Sequence, residues 1–168
     1  MLQEIKIEEL NFDPFTLIGK DWSLITVGDE NEFNTMTASW GHVGVIWNKN
    51  VVTVYVRPQR YTNDFMQKFD RFTVSFYSES FRDALTYCGR NSGRDVDKVK
   101  ETGLTPVHEN GMTYFKEAKL VFECKKIYED CIKPENFIDD SIHGNYPNKD
   151  YHIVYMGEVT KVLICHNK

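Results

Sequence analysis

The chain has 168 residues, which suits one domain over 1–168 whose core needs neither disulfide nor metal. A net charge of −5, with basic residues gathered only between Arg90 and Lys100, argues against nucleic acid as a partner. Aromatic residues make up 14% of the chain, a load that suits a β-rich core or a site for a flat ligand.

Trp22 to Val27 reads as a short apolar strand, followed by turn chemistry at Gly28 to Asn31. Asn34 to Trp40 alternates, with Asn34, Met36, Ala38 and Trp40 on one face and Thr35, Thr37 and Ser39 on the other. Gly41 and Gly44 are expected to bracket a turn before a strand at Val45 to Trp47. Asn48 to Asn50 turns the chain again. Val51 to Arg57 is β-branched and extended, and Pro58 stops it. Thr62 is placed to cap a short amphipathic helix carrying Phe65, Met66 and Phe69.

Arg71 to Tyr77 is a further strand, and Ser80 to Cys88 a second helix with Phe81, Ala84, Leu85 and Cys88 on one stripe. A charged loop with one helical turn at most spans Ser92 to Gly103. Lys119 to Tyr128 and Tyr151 to Ile164 complete the strands, and Lys133 to Asp150 between them is irregular. Six or seven close-spaced strands with two short helices suggest a closed β-barrel with helical insertions. A parallel α/β sheet fits poorly, since helices do not alternate with strands.

The four cysteines, Cys88, Cys124, Cys131 and Cys165, show no CxxC pair and no zinc spacing, so no metal is expected. They read as buried or idle thiols of a reducing compartment, with a disulfide or a redox role for Cys88 as the alternative. The opening MLQEIKIEEL is unlike a signal peptide, and no apolar run approaches the ~20 residues of a membrane span. The expectation is a cytoplasmic protein with no membrane contact.

Four segments could carry chemistry, and each also has a plain structural reading. The hydroxyls of Thr35, Thr37 and Ser39 could bond phosphate or carbonyl oxygens, or simply face solvent. Arg57-Pro-Gln-Arg-Tyr-Thr62 brings two guanidinium groups to a helix start. That is a plausible phosphate cradle, or an ordinary junction with solvated arginines. The loop Gly89-Arg-Asn-Ser-Gly-Arg-Asp-Val-Asp-Lys98 is basic and glycine-containing without P-loop spacing, so it is an anion loop or a mobile surface loop. His152 shares a strand face with Val154 and Met156, which more often marks a structural histidine than a catalytic one. His42, His108, His143 and His166 have no defensible ligand or triad spacing.

Taken in order, NTMTASWG, RPQRYT, CGRNSGRDVDK, FKEAKLVFECKKIY and DYHIVYMGEV resemble the flavin reductase-like, FMN-binding split-barrel family, in its flavoredoxin branch. The resemblance runs from about Phe15 to Leu163. It implies a six-stranded Greek-key split barrel, non-covalent FMN and a homodimer. It also implies that Asn34, Thr35, Met36, Thr37, Ala38, Ser39 and Trp40 lie along the flavin. Arg57, Arg60, Tyr61 and Thr62 then fall at the ribityl phosphate, Ser92, Gly93, Arg94 and Lys98 on a loop closing over it, and His152 near the ring. An oxidoreductase using NADH or NADPH follows, passing electrons to free flavin, a protein redox partner or another acceptor. The alternative is an FMN-holding carrier without NAD(P)H activity, since no GxGxxG fingerprint is visible. The stretch Lys133 to Asp150 could cover the flavin or make dimer contacts.

Overall fold

A computed structural model describes residues 1–165. The chain begins with β1 (Leu2–Ile5) and a short helical passage, α1 (Pro14–Thr16), which widens into a turn at Leu17–Asp21. Next come β2 (Ser23–Gly28), β3 (Phe33–Ala38), β4 (Gly41–Ile46), β5 (Lys49–Val56), α2 (Tyr61–Lys68) and β6 (Arg71–Phe76). They are followed by α3 (Arg82–Arg90), α4 (Lys98–Thr102), a hairpin of β7 (Pro106–Glu109) and β8 (Met112–Phe115), and the long pair β9 (Leu120–Cys131) and β10 (Ile153–Cys165).

The main sheet runs β3-β2-β6-β9-β10-β5-β4, with β1 added to β10, and every pair is antiparallel. The 13 residues of β10 serve three neighbours: β5 through Ile153 to Glu158, β1 through Val162 to Cys165, and β9 along most of the length. Register shifts at Met156/Gly157 and Val159/Lys161 bend this strand, as bulges do.

One face of the sheet encloses a core to which six of the strands contribute buried residues: Ile25, Met36, Val54, Val74, Phe122 and Tyr155. Phe65 and Met66 of α2 join it. The opposite face carries Leu24, Val121 and Leu163 against Leu85 and Cys88 of α3. Leu24 and Ile25 are therefore neighbours in sequence and belong to two cores, as the period of two requires. Burying a Phe or Leu of either core contributes about 1.5–3 kcal/mol.

The architecture is mainly β, as expected, but the sheet has eight strands and does not close. Its two ends, β3 and β4, are consecutive in the chain and unpaired with each other. One strand beyond the expected set, β1, accounts for part of the difference, and the strand expected at Val45 to Trp47 begins earlier, at Gly41. Leu2 and Ile5 place β1 on β10. Gly41 and Gly44 lie inside a strand paired throughout with β5, and do not bracket a turn. The chain turns at Trp47 and Asn48, one residue before the turn expected at Asn48 to Asn50, and their φ values of 53° and 57° make a tight two-residue hairpin. The β7–β8 hairpin and α1 were also outside the sequence reading. Thr62 is not the cap of α2; Arg60 holds that position, without a capping side chain. His152 lies just before β10, not within it.

Candidate ligand site

The polar part of the site forms where β5 runs into α2 and the α3–α4 loop returns beside β3. A cavity of about 490 Å³ opens there, lined by Asn34, Arg60, Arg90, Asn91, Ser92 and Lys98 among others. Asn34 is buried and donates from Nδ2 to Thr62 Oγ1 at 2.7 Å, tying β3 to α2. Arg60 donates to the Gly89 carbonyl at 2.8 Å, tying α2 to α3. Gly93 must be glycine, because a Cβ there would lie 2.0 Å from Asn34 Oδ1 and 3.3 Å from the Tyr61 ring.

Lys98 is the unusual member. It is buried and donates to the carbonyls of Thr35 (2.7 Å) and Cys88 (2.8 Å). Burial pulls its pKa down to about 8, with the Arg60 charge adding to the effect. Among the described residues, none of Arg60, Arg90 and Lys98 has a carboxylate at ion-pair distance. The wall of this cavity thus holds cationic charge without its own counter-ion.

Arg57 lines the same cavity and is held there by partners of its own. Its guanidinium sits 2.6 Å from Asp150, donates to the Asn145 carbonyl at 2.9 Å and lies over the Tyr146 ring at 5.1 Å. It anchors the strap between β9 and β10 across the cavity mouth, where Asn145, Pro147, Asn148 and Asp150 also contribute to the lining. Of the two readings for this irregular stretch, covering the cavity is the one the geometry matches.

Arg94 departs from its expected place. It is exposed, pairs with Asp64 at 2.6 Å and stacks over Tyr61 at 4.6 Å, outside the cavity lining. Ser92 and Tyr61 line the cavity directly, and Thr62 lines it while its hydroxyl accepts from Asn34.

The hydroxyl stripe of β3 points away from the polar cavity. Thr35 bonds Thr26 Oγ1 at 2.9 Å in the interior, and Thr37 donates to the Leu85 carbonyl of α3. The opposite residues, Asn34 and Met36, face the polar cavity. Thr37, Ala38, Ser39 and Trp40 continue into an adjoining slot of about 190 Å³, which shares Met36, Arg57 and Arg60 with the polar cavity.

Behind the slot stands His152, buried, with the Trp40 ring 5.2 Å away and its Nδ1 2.9 Å from the Tyr146 hydroxyl. Burial, with the Arg57 charge nearby, pulls its pKa down to about 4, so the imidazole is neutral near pH 7. The slot also takes in Tyr55. A third, more apolar cavity of about 560 Å³ continues from it, sharing Ser39, Trp40 and Tyr55.

Tyr55, Gln59, Arg90, Asn91 and Asp150 were not singled out from the sequence as site residues. Arg90 and Asn91 lay inside the quoted loop and could have been included with it. Asp150 had no local signal, because its partner Arg57 is 93 residues away. His166 lies outside the described residues. The described residues include no cluster suited to a metal ion and no helix long and apolar enough to cross a membrane. All four cysteines are free.

A long strip therefore runs along the unpaired ends of the sheet, cationic at one end, with aromatic rings in the middle and apolar at the other. The family model described as flavin reductase like domain matches residues 17–168, and the chain belongs to that family. Solved structures with the same fold include flavoredoxin from Methanosarcina acetivorans, at 20% identity and TM-score 0.66 over 95% of this chain and 74% of that one. Flavoredoxin of Desulfovibrio vulgaris matches at 20% identity and TM-score 0.68 over 98% and 78%. An NADH:FAD oxidoreductase of Streptomyces globisporus matches at 18% identity and TM-score 0.64 over 86% and 75%.

Proposed function

We propose that this chain holds FMN in the strip between β3, α2 and the α3–α4 loop and works as an oxidoreductase with NADH or NADPH as donor. The observation that carries this reading is the set Arg60, Arg90 and Lys98, without a carboxylate partner, at one end of a cavity continuous with an aromatic-walled slot.

A phosphate supplies the missing negative charge, and charge-assisted bonds to it are stronger than neutral ones. Ser92, Asn91 and the backbone around Gly93 add polar contacts beside the cations. Asn34 and Met36 suit the ribityl chain, and Ala38, Ser39, Trp40 and His152 the ring. Arg94 supports Tyr61 from outside the cavity and has no direct part in this assignment. Thr35 acts through its backbone carbonyl on Lys98, and Thr37 lines the ring slot while its hydroxyl holds α3.

When bound, the isoalloxazine supplies the hydride and electron chemistry. The residues of this chain position it, keep His152 neutral beside it and close the mouth with the Arg57-anchored strap. None of these roles requires an acid or base at the reacting atoms.

We further propose a homodimer in the cytoplasm. Trp47 and Val45 are exposed on the β4–β5 hairpin, with the Trp47 ring 5.9 Å from that of Tyr128. Such a patch suits the core of an interface. Sedimentation at the monomer mass across micromolar concentrations would remove this part of the proposal. A protein redox partner is a further possible acceptor.

The test of the main reading is the visible absorption spectrum of the purified protein, before and after anaerobic addition of NADH or NADPH. Flavin bands that bleach support the reductase. Flavin bands that persist with both donors select the carrier reading. An absence of flavin binding after reconstitution with FMN rejects both.

A further inference from the structure

Tyr146 belongs to the strap, but its side chain ends on the imidazole of His152. Three neighbours hold its ring. The Arg57 guanidinium lies over it at 5.1 Å, and the rings of Phe137 and Tyr151 stand 6.0 Å and 5.0 Å away. Arg57 also holds the carbonyl of the preceding residue, Asn145, at 2.9 Å. The hydroxyl is thereby fixed 2.9 Å from His152 Nδ1, and among the described residues it has no other hydrogen-bond partner.

The other nitrogen of the imidazole has different surroundings. Among the described residues Nε2 has no partner, yet it is not one of the sealed, unpartnered side-chain atoms, which are Ser75 Oγ, Tyr77 Oη, Glu123 Oε1 and Asp150 Oδ1. It therefore reaches open space. His152 lines the slot of about 190 Å³, and Tyr146 does not. Nδ1 is thus turned to the strap and Nε2 to the slot.

We infer that Tyr146 is a positioning residue that fixes His152 in its Nε2–H tautomer, so that the slot is offered a neutral hydrogen-bond donor. Burial keeps both partners uncharged near pH 7: it raises the pKa of the phenol and lowers that of the imidazole to about 4. The pair then holds two protons, which can be arranged in two ways. If the phenol donates to Nδ1, its proton is used and the imidazole proton stands on Nε2. If Nδ1–H donates to the phenol oxygen, the phenol proton is left buried without an acceptor. An unmade buried donor costs the full desolvation of the group, so the first arrangement prevails.

The complement of this N–H is an acceptor atom at the edge of a ring in the slot. That the ring is a flavin rests on the reading above, whereas the tautomer rests on residues of this chain alone. A fixed donor binds more strongly as negative charge grows on its acceptor, so it favours the reduced flavin.

The experiment has two arms. The first records long-range ¹H–¹⁵N spectra of the histidine rings in the full-length, ligand-free protein at pH 7. His152 is expected to be protonated at Nε2 and bare at Nδ1. Tyr146→Phe should move the Nδ1 resonance toward that of an imidazole nitrogen with no hydrogen bond, and leave His42 and His108 in place. The second arm measures the midpoint potential of the protein loaded with FMN. His152→Leu and Tyr146→Phe should each lower it. The double variant should match His152→Leu alone, because Tyr146 acts through the imidazole. Thermal melts of each variant establish that it is folded.

A proton on Nδ1 in the wild type overturns the inference, as does an Nδ1 resonance that Tyr146→Phe leaves unmoved. A potential unchanged by Tyr146→Phe in the folded, loaded protein also overturns it, since a tyrosine that merely packs the strap would give that result. So does a double variant in which the two shifts add. A protein that takes up no FMN removes the flavin reading, and the first arm then decides the tautomer by itself.

Discussion

The guanidinium of Arg57 and the carboxylate of Asp150 lie 2.6 Å apart, joining the end of β5 to the strap that precedes β10. Gln59 donates to the same carboxylate oxygen at 2.6 Å. An arginine already neutralised in this way has less to offer an incoming phosphate than Arg60, whose guanidinium has, among the described residues, only the Gly89 carbonyl as partner.

The two arginines should therefore fail differently on mutation. Arg60→Ala is expected to weaken FMN binding by about 1.5–3 kcal/mol, the range for a charged hydrogen bond. Arg57→Ala is expected to weaken it less and to loosen the strap between β9 and β10. FMN fluorescence titration measures the first effect, and proteolytic cleavage within 133–150 the second. Equal losses of affinity with an equally resistant strap would contradict the assignment.

Lys98 gives a pH prediction with a definite sign. Its folded-state pKa is lowered from 10.5 to about 8 by burial. Between these values the unfolded chain holds a proton that the folded chain has released, so stability without ligand rises with pH across that window. Below about pH 8 both states are protonated and the burial penalty is present in full. Anion binding needs the charged form, so FMN affinity should fall as pH rises through about 8. Lys98→Met should bind FMN weakly and lose both dependences. Calorimetric melts and FMN titrations from pH 7 to 10.5 read the two trends.

His152 should show a window on the acid side. Its pKa is lowered from 6.5 to about 4 by burial, so the unfolded chain takes up a proton first as pH falls. Stability contributed by the neutral imidazole is complete above pH 6.5 and declines toward pH 4. Urea midpoints at pH 7 and 4.5 should separate more for wild type than for His152→Gln. Equal separations would show that the imidazole is not held neutral.

Gly157 tests the packing at the bend of β10. A Cβ there would lie 2.5 Å from the Phe72 ring and 2.7 Å from Cys124 Cβ, both fully buried. Gly157→Ala should cost about 1–3 kcal/mol by overpacking, read as a lower urea midpoint. A midpoint unchanged from wild type would mean that the bulge relaxes freely.

The sequence carried the strands well where apolar residues alternate. Val51 to Arg57 and Arg71 to Tyr77 fall within a residue or so of β5 and β6. It failed where glycines stand inside a paired strand, as at Gly41 and Gly44, because local chemistry cannot report a partner strand that satisfies the backbone. On β3 the alternation sorted two faces correctly. It could not say which one meets the polar cavity, and Asn34 and Met36 do so while the Thr35 hydroxyl turns to Thr26. Clustered basic residues include Arg60 and Lys98, which both line the polar cavity. The roles of Arg57 and Arg94 depend on Asp150 and Asp64, remote or opposed charges that a linear reading weighs only in part.

The free ends of the sheet at β3 and β4 have a consequence for how such a protein can change. Backbone hydrogen bonds hold every other neighbouring pair of strands at a fixed spacing, whereas none crosses this seam. Beyond the Ser39–Trp40 link, no backbone ladder fixes the distance across it. A few substitutions along the seam can therefore resize the cavities without disturbing the ladder that keeps the molecule folded, so the scaffold can be retuned for a different occupant at little risk to its stability.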